Sequence, residues 1–400
     1  MLDNLKFPGN NSIGPEEIEA ASRVLKSGVL SNFYGSWGEN FKGGIEIQSF
    51  EEEWSEYFAV KHSISVNSAT SGLIAAVGAI GINPGDEVIV SPYTMTASAS
   101  CVLVYGATPV FADIESQTFN LDASSIEANI TPKTKAIIVV HLAGQPADMG
   151  AIMEIARRKK ILVIEDAAQS PGALYGDKFS GTIGDIGVFS LNCHKTIQTG
   201  EGGVCCTNND ELADRLRLIR NHGEAVVEEM GTSEKYGDII GFNFRMGEIE
   251  AAIGREQLKK LDKLNGGRQE IASQFNEWFK DLPGLTIPYV SPVSTHVYYT
   301  YMMKIDSSKS GFTRCHLIKN LGARKIDFFE GYVKPLYMQP LYQRGWHKKT
   351  GRHYGEGLCP VAEKMYSEEV FYHTYLHNNL KDKHLRFIKD NVHDVWDKLE

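Results

Sequence analysis

Between about Phe50 and Arg220, short apolar runs alternate with helix-patterned segments, and this alternation constrains the fold more than any other feature of the chain. Ser63–Val66, Glu87–Val90, Thr108–Ala112, Ala136–Val140, Ile161–Ile164, Ile186–Leu191 and Val204–Thr207 read as strands. Thr70–Ile82, Thr96–Tyr105, Met149–Lys159 and Glu211–Arg220 read as helices between them, the last after a capping Asp210. Strand-helix alternation means an α/β domain built on a mostly parallel sheet. Such sheets are covered on both faces, which explains unbroken apolar strands such as AIIVV (136–140) and ILVI (161–164). Glu248–Leu264 reads as one long helix. Beyond about Pro283 the pattern changes, because Pro288, Pro292, Pro335 and Pro340 cut the chain into shorter, aromatic-rich elements. The expected organisation is an N-terminal segment (1–45), a large domain (46–282) and a smaller C-terminal α+β domain (283–400).

A chain of 400 residues is long enough for two domains. No run approaches the ~20 apolar residues of a membrane span, and the N-terminal stretch has no apolar core of the signal-peptide kind. A cytoplasmic protein is expected. The net charge of −9 is spread in short runs such as Arg157–Lys160 and Glu51–Glu53, which read as solvated helix faces. That distribution argues against a nucleic-acid binder. The six cysteines form no C-x-x-C pair, and no metal site is expected. They read as buried reduced thiols, with Cys205 and Cys206 on opposite faces of one strand.

In parallel sheets, ligands sit outside the carboxyl ends of the strands. Asn67-Ser68-Ala69-Thr70-Ser71-Gly72 follows the first strand and opens a helix. Small residues at a helix N-terminus make a phosphate cradle; the same residues serve equally as an N-cap through Ser68 or Thr70. Glu165-Asp166 ends another strand and suits a ribose, a metal, a protonated ring nitrogen or simply a turn. Ser190 and Lys195 follow a third strand and precede the glycine-rich turn Thr199-Gly200-Glu201-Gly202-Gly203, which is neither a P-loop nor a dinucleotide fingerprint. Cradle, acid and lysine in this chain order are what pyridoxal phosphate (PLP) chemistry requires. A lysine amine bonds the cofactor aldehyde, and a carboxylate keeps the pyridine nitrogen protonated.

The segments NSATSGL (67–73), PGDEVIVSPYTMTASAS (84–100), IEDAAQSPGA (164–173), GDIGVFSLNCHKTIQTGEGG (184–203), RNHG (220–223) and GFNFRMGEIEAAIG (241–254) together resemble the DegT/StrS-type sugar aminotransferases. The resemblance runs from about Gly28 to about Val370 and implies the type I, aspartate aminotransferase-like fold. It implies that Ala69, Thr70 and Ser190 bind the cofactor phosphate, that Asp166 pairs with the ring nitrogen, and that Gln169 sits beside the ring hydroxyl. Lys195 would hold the cofactor, and Asn243 would reach the phosphate of the partner subunit in a homodimer. Met95 stands where the family usually stacks an aromatic on the ring, a departure. Some relatives carry histidine in place of the lysine and are dehydratases. Here His194 precedes an intact lysine, and the spacing from Ser190 puts Lys195 in the slot. No role is carried onto His296–Tyr299 or Lys334–Tyr337. Arg245 either positions substrate or braces its loop, and Ser31–Gly44 looks like an unassigned loop near the site.

The implied activity is transfer of an amino group, usually from L-glutamate, to a keto or aldehyde sugar, most often nucleotide-linked. Other outcomes within the family are a cyclitol aminotransferase, an aminoshikimate-type synthase or a sugar dehydratase. A non-catalytic regulator is the alternative of a different class.

Overall fold

The computed structural model describes residues 12–228, 231, 233–343 and 351–399. The first eleven residues of the expected N-terminal segment, and so most of the stretch read for a signal peptide, lie outside the described residues.

The chain's first nine strands are β1 (His62–Val66), β2 (Glu87–Val90), β3 (Thr108–Phe111), β4 (Thr134–Val140), β5 (Leu162–Asp166), β6 (Leu174–Tyr175), β7 (Lys178–Phe179), β8 (Ile186–Ser190) and β9 (Gly203–Thr207). All but the small β6–β7 hairpin join one seven-stranded sheet in the order β1-β9-β8-β5-β4-β2-β3. Only β9 runs against the others, pairing antiparallel with β1 and β8. The apolar runs are sealed on both faces, as a parallel sheet requires: Ala136, Ile137, Ile138 and Val139 are fully buried. Cys205 packs with Leu73 and Val188 on one face, while Cys206 packs with Trp54, Phe58 and Phe189 on the other.

The helices that position the site are α1 (Pro15–Ser27), α2 (Ile45–Phe58), α3 (Ala69–Ala79) and α4 (Ala97–Val104). They are followed by α5 (Ala123–Asn129), α6 (Met149–Lys159) and α7 (Asp210–Arg220). Helix α2 buries Ile47, Phe50, Trp54 and Phe58, spaced three and four apart, against Phe189 of β8.

Four expectations need correction. Glu248–Leu264 is two helices, Glu248–Leu258 and Leu261–Phe279. They part at Lys259-Lys260, where the Lys260 ammonium turns to Glu16 and Glu17 of α1. Helix α7 is capped by Asn209, whose side chain accepts from the Glu211 and Leu212 N–H groups. Asp210 instead pairs with Lys61 and His62. The Glu51–Glu53 run is not merely solvated. Glu51 receives the fully buried Arg220 guanidinium at 2.5 Å and the Ser65 hydroxyl at 2.7 Å, and Glu53 binds Arg255. Finally, only four cysteines are buried. Cys193 is half-buried and Cys315 exposed.

The remaining strands, β10 (Leu285–Thr286), β11 (Tyr301–Ile305), β12 (Phe329–Glu330) and β13 (Val370–His373), form an antiparallel sheet in the order β10-β11-β13-β12. It has its own core of Phe275, Phe279, Tyr301, Leu317, Ile388 and Trp396, drawn partly from the helices Leu261–Phe279 and Asp382–Leu399.

Candidate active site

The turn from β1 into α3 settles between two uses of the same residues. Ser68 is the cap: its hydroxyl accepts the Ser71 N–H at 3.1 Å. Thr70 is therefore left exposed at the helix mouth. The N–H groups of Ala69 and Thr70 have no partner inside the helix and carry the positive end of its dipole. Gly203 of β9 passes so close that a Cβ there would stand 2.7 Å from the Ala69 nitrogen. The absence of a side chain is what lets strand and cradle meet.

At the end of β5, neighbouring acids point to opposite faces. Glu165 faces inward and is fully buried, as is His141, whose Nε2 lies 2.8 Å from it. His141 Nδ1 accepts the Ala147 N–H, so Nε2 carries the proton. Burial alone would raise the Glu165 carboxyl; the His141 bond and the Gly184 and Gly181 N–H groups outweigh it and hold the group below the usual carboxylate range. A carboxyl depressed in the folded state stabilises above its unfolded pKa and loses that contribution as pH falls through the folded value. Wild type is therefore expected to be more stable than Glu165→Gln at neutral pH, with the gap narrowing on acidification. Thermal midpoints measured across that range check this, and a gap independent of pH would contradict it.

Asp166 turns the other way, toward the cavity. The Ser98 hydroxyl of α4 donates to its Oδ2 at 2.7 Å and the Ala168 N–H to its Oδ1 at 3.2 Å. Gln169 follows on the same rim. Its Oε1 accepts the Ala143 N–H at 2.8 Å, and its Nε2 donates to the Tyr332 hydroxyl at 2.9 Å.

Ser190 closes β8, and the chain then makes a turn pinned by a bridge between Asn192 and Gly200. Gly200 sits at φ +85°, a conformation that favours glycine. Lys195 hangs from this turn, half-buried. Among the described residues no carboxylate pairs with it; its Nζ lies 4.5 Å from the centre of the Tyr299 ring.

These elements enclose a cavity of about 430 Å³ lined by Ala69, Thr70, Met95, Asp166, Gln169, Ser190 and Lys195. Residues from four separate stretches of sequence thus meet in one place. Met95 is 63% exposed at its edge, and His194 also lines it from an exposed position. Asn243 is not among the lining residues. It is exposed, its backbone bridges Asn221, and its Oδ1 accepts from Arg245. This contact of Arg245 is one within its own loop. The Ser31–Gly44 stretch packs beside it, with Asn221 donating to the Tyr34 carbonyl and Phe41 buried. Sequence reasoning missed Ser98, Tyr299 and Tyr332. The signal for Tyr299 was the resemblance of His296–Tyr299 to family segments near the substrate entrance, onto which no role was carried. Among the described residues no group of three or more His, Cys, Asp or Glu side chains is placed to hold a metal.

A helix mouth whose first N–H groups have no partner inside the helix, a buried carboxylate and a lysine with no counter-ion among the described residues, all facing one cavity, make a donor set that fits PLP. Comparison with known proteins agrees. The model of the DegT/DnrJ/EryC1/StrS aminotransferase family matches residues 11–393. The chain is 37% identical over 363 residues to the spore coat polysaccharide biosynthesis protein SpsC of Bacillus subtilis, covering 90% of this chain and 89% of that one. It is 43% identical over 301 residues to a GDP-perosamine synthase of Caulobacter vibrioides, covering 75% and 79%. The solved structure of DesV from S. venezuelae superposes with a TM-score of 0.82 at 33% identity, over 95% of this chain and 94% of that one. The chain belongs to the DegT/DnrJ/EryC1/StrS aminotransferase family, with the type I fold, and is a PLP-dependent sugar aminotransferase.

Proposed function

We propose that the enzyme takes an amino group from L-glutamate and gives it to the keto or aldehyde carbon of a nucleotide-linked sugar. The convergence of the α3 mouth, Asp166, Ser190 and Lys195 on one cavity carries this reading. The likeness to a GDP-perosamine synthase supports a nucleotide-linked acceptor.

When bound, PLP supplies an aldehyde for the amine and a protonated ring that draws electrons from the carbon losing its proton. The chain's own residues do the rest. The Ala69 and Thr70 N–H groups, the Thr70 hydroxyl and the Ser190 hydroxyl bind the phosphate. Asp166, its two oxygens oriented by Ser98 and Ala168, keeps the ring nitrogen protonated. Gln169, fixed through Ala143 and Tyr332, keeps one amide proton for the ring hydroxyl. Met95, at the edge of the cavity, would offer its thioether to a ring face. Lys195 would hold the cofactor through Nζ, and the same atom, when free, would take up and return a proton.

We also propose a homodimer in which Asn243, turned away from its own cavity, reaches the partner's phosphate. The proposed units are residues 1–45, 46–282 and 283–400, the last carrying the antiparallel sheet. Free cysteines support a reducing, cytoplasmic setting, and among the described residues no helix is long and apolar enough to cross a membrane.

The purified enzyme is expected to show an absorption band near the violet edge of the visible that moves to shorter wavelength when L-glutamate is added. A band that ignores glutamate would overturn the donor. A protein that gains no band when supplied with PLP would overturn the assignment of the site.

A further inference from the structure

Arg268 is a charged side chain that the reaction above does not use. It stands on the helix Leu261–Phe279 and is only 3% exposed. Among the described residues no carboxylate pairs with it, and burial pushes the guanidinium down to about 10. A buried cation without a counter-ion persists only where other acceptors replace water. Here they are backbone carbonyls: Nη1 donates to Tyr298 O at 3.0 Å and lies 3.5 Å from Tyr299 O.

That segment needs holding. Tyr298 has φ +49°, the left-handed region that non-glycine residues avoid. Its ring stacks on His296 at 4.0 Å, and its N–H donates to His296 Nδ1 at 2.9 Å. On the other side it is pressed against Gly144, where a Cβ would come within 2.8 Å of the Tyr299 nitrogen. Gly144 follows Ala143, the residue that fixes Gln169. The outcome of these restraints is the placement of Tyr299, whose ring faces the Lys195 ammonium. An aromatic face attracts a cation, and a long flexible side chain gains most from such a rest.

We infer that Arg268 is a positioning residue: by gripping the Tyr298 and Tyr299 carbonyls it keeps the Tyr299 ring against Lys195 and so sets where the lysine amine waits. This rests on Lys195 being the residue that holds the cofactor. Misplacing a reacting group by about 1 Å can cost up to about a hundredfold in rate, so the amine should capture an aldehyde more slowly without this grip.

The test uses full-length protein stripped of cofactor, mixed rapidly with PLP, and follows the rise of the visible band. Tyr299→Leu and Arg268→Met are each expected to slow that rise on the order of tenfold. The double variant should be no slower than the slower single one, because both changes remove the same placement. Arg268→Lys, which keeps the charge but not the planar fork, should also be slow and stands in if Arg268→Met fails to fold. Wild-type capture by Tyr299→Leu would overturn the inference. So would single effects that multiply in the double variant, or an Arg268 variant that lowers the thermal midpoint while capturing at the wild-type rate. A wild-type protein that forms no band would instead strike the reading of Lys195 itself.

Discussion

Lys195→Ala is expected to lose turnover by at least about a thousandfold while folding normally. The size follows from losing two roles at once, the amine that holds the cofactor and the base that moves a proton at Nζ. Normal folding follows from the surroundings. The turn that carries Lys195 is closed by the backbone bridge between Asn192 and Gly200 and by the Cys193 N–H to Gly200 carbonyl bond at 2.9 Å. The side chain makes no ion pair among the described residues, and its contact with the Tyr299 ring is worth about 1 kcal/mol, so truncation should cost no more than roughly that. Single-turnover kinetics with glutamate, beside a urea titration, measure both halves. A small primary amine added to the variant should restore part of the rate. Normal turnover by Lys195→Ala would refute the site.

The second large effect belongs to Asp166→Asn. The amide keeps the shape: its oxygen can accept the Ala168 N–H, while its NH2 can donate to the Ser98 hydroxyl oxygen in place of the bond that Ser98 donates in wild type. The charge that keeps the ring nitrogen protonated is gone. Removing one such electrostatic partner in a closed site typically costs on the order of 10²–10³ in rate. The expected signature is a protein that still takes up PLP and shows a visible band, yet turns over hundreds of times more slowly. Equal loss of cofactor binding would mean that Asp166 anchors rather than activates. Full activity would remove it from the mechanism.

The parts of the molecule that sequence made legible are those governed by local pattern. The bounds of β2 and α6 are as read, because each is a periodic run framed by a turn signal. That Thr70, Asp166 and Lys195 would face one place was also legible, since each lies at the end of its own strand or within five residues of it, and strand ends are where such chemistry collects. What escaped depends on distant partners. Ser98 sits inside an Ala/Ser-rich helix, and nothing around it announces that Asp166 lies 2.7 Å away. Tyr332 reaches Gln169 across 163 positions of sequence. Glu51 looked like one of three surface acids until Arg220, 169 positions on, was found against it. The break at Lys259-Lys260 was hidden for the same reason, because lysine is a good helix former and the partners of Lys260, Glu16, Glu17 and the Ser12 carbonyl, lie more than 240 positions away.

The sheet order has a consequence for how the protein is made. Strand β1 lies at the edge and pairs only with β9, from His62 against Thr207 to Val66 against Gly203. As the chain leaves the ribosome, β1 and the cradle behind it emerge early and have no partner until β9 follows. At a synthesis rate of about 5–20 residues per second, that wait is on the order of ten seconds. Throughout it the backbone groups along that edge of β1 stay unpaired, and an open strand edge invites mispairing. Because Gly203 of β9 lies against the Ala69 nitrogen, the mouth of α3 takes its final form only when β9 docks.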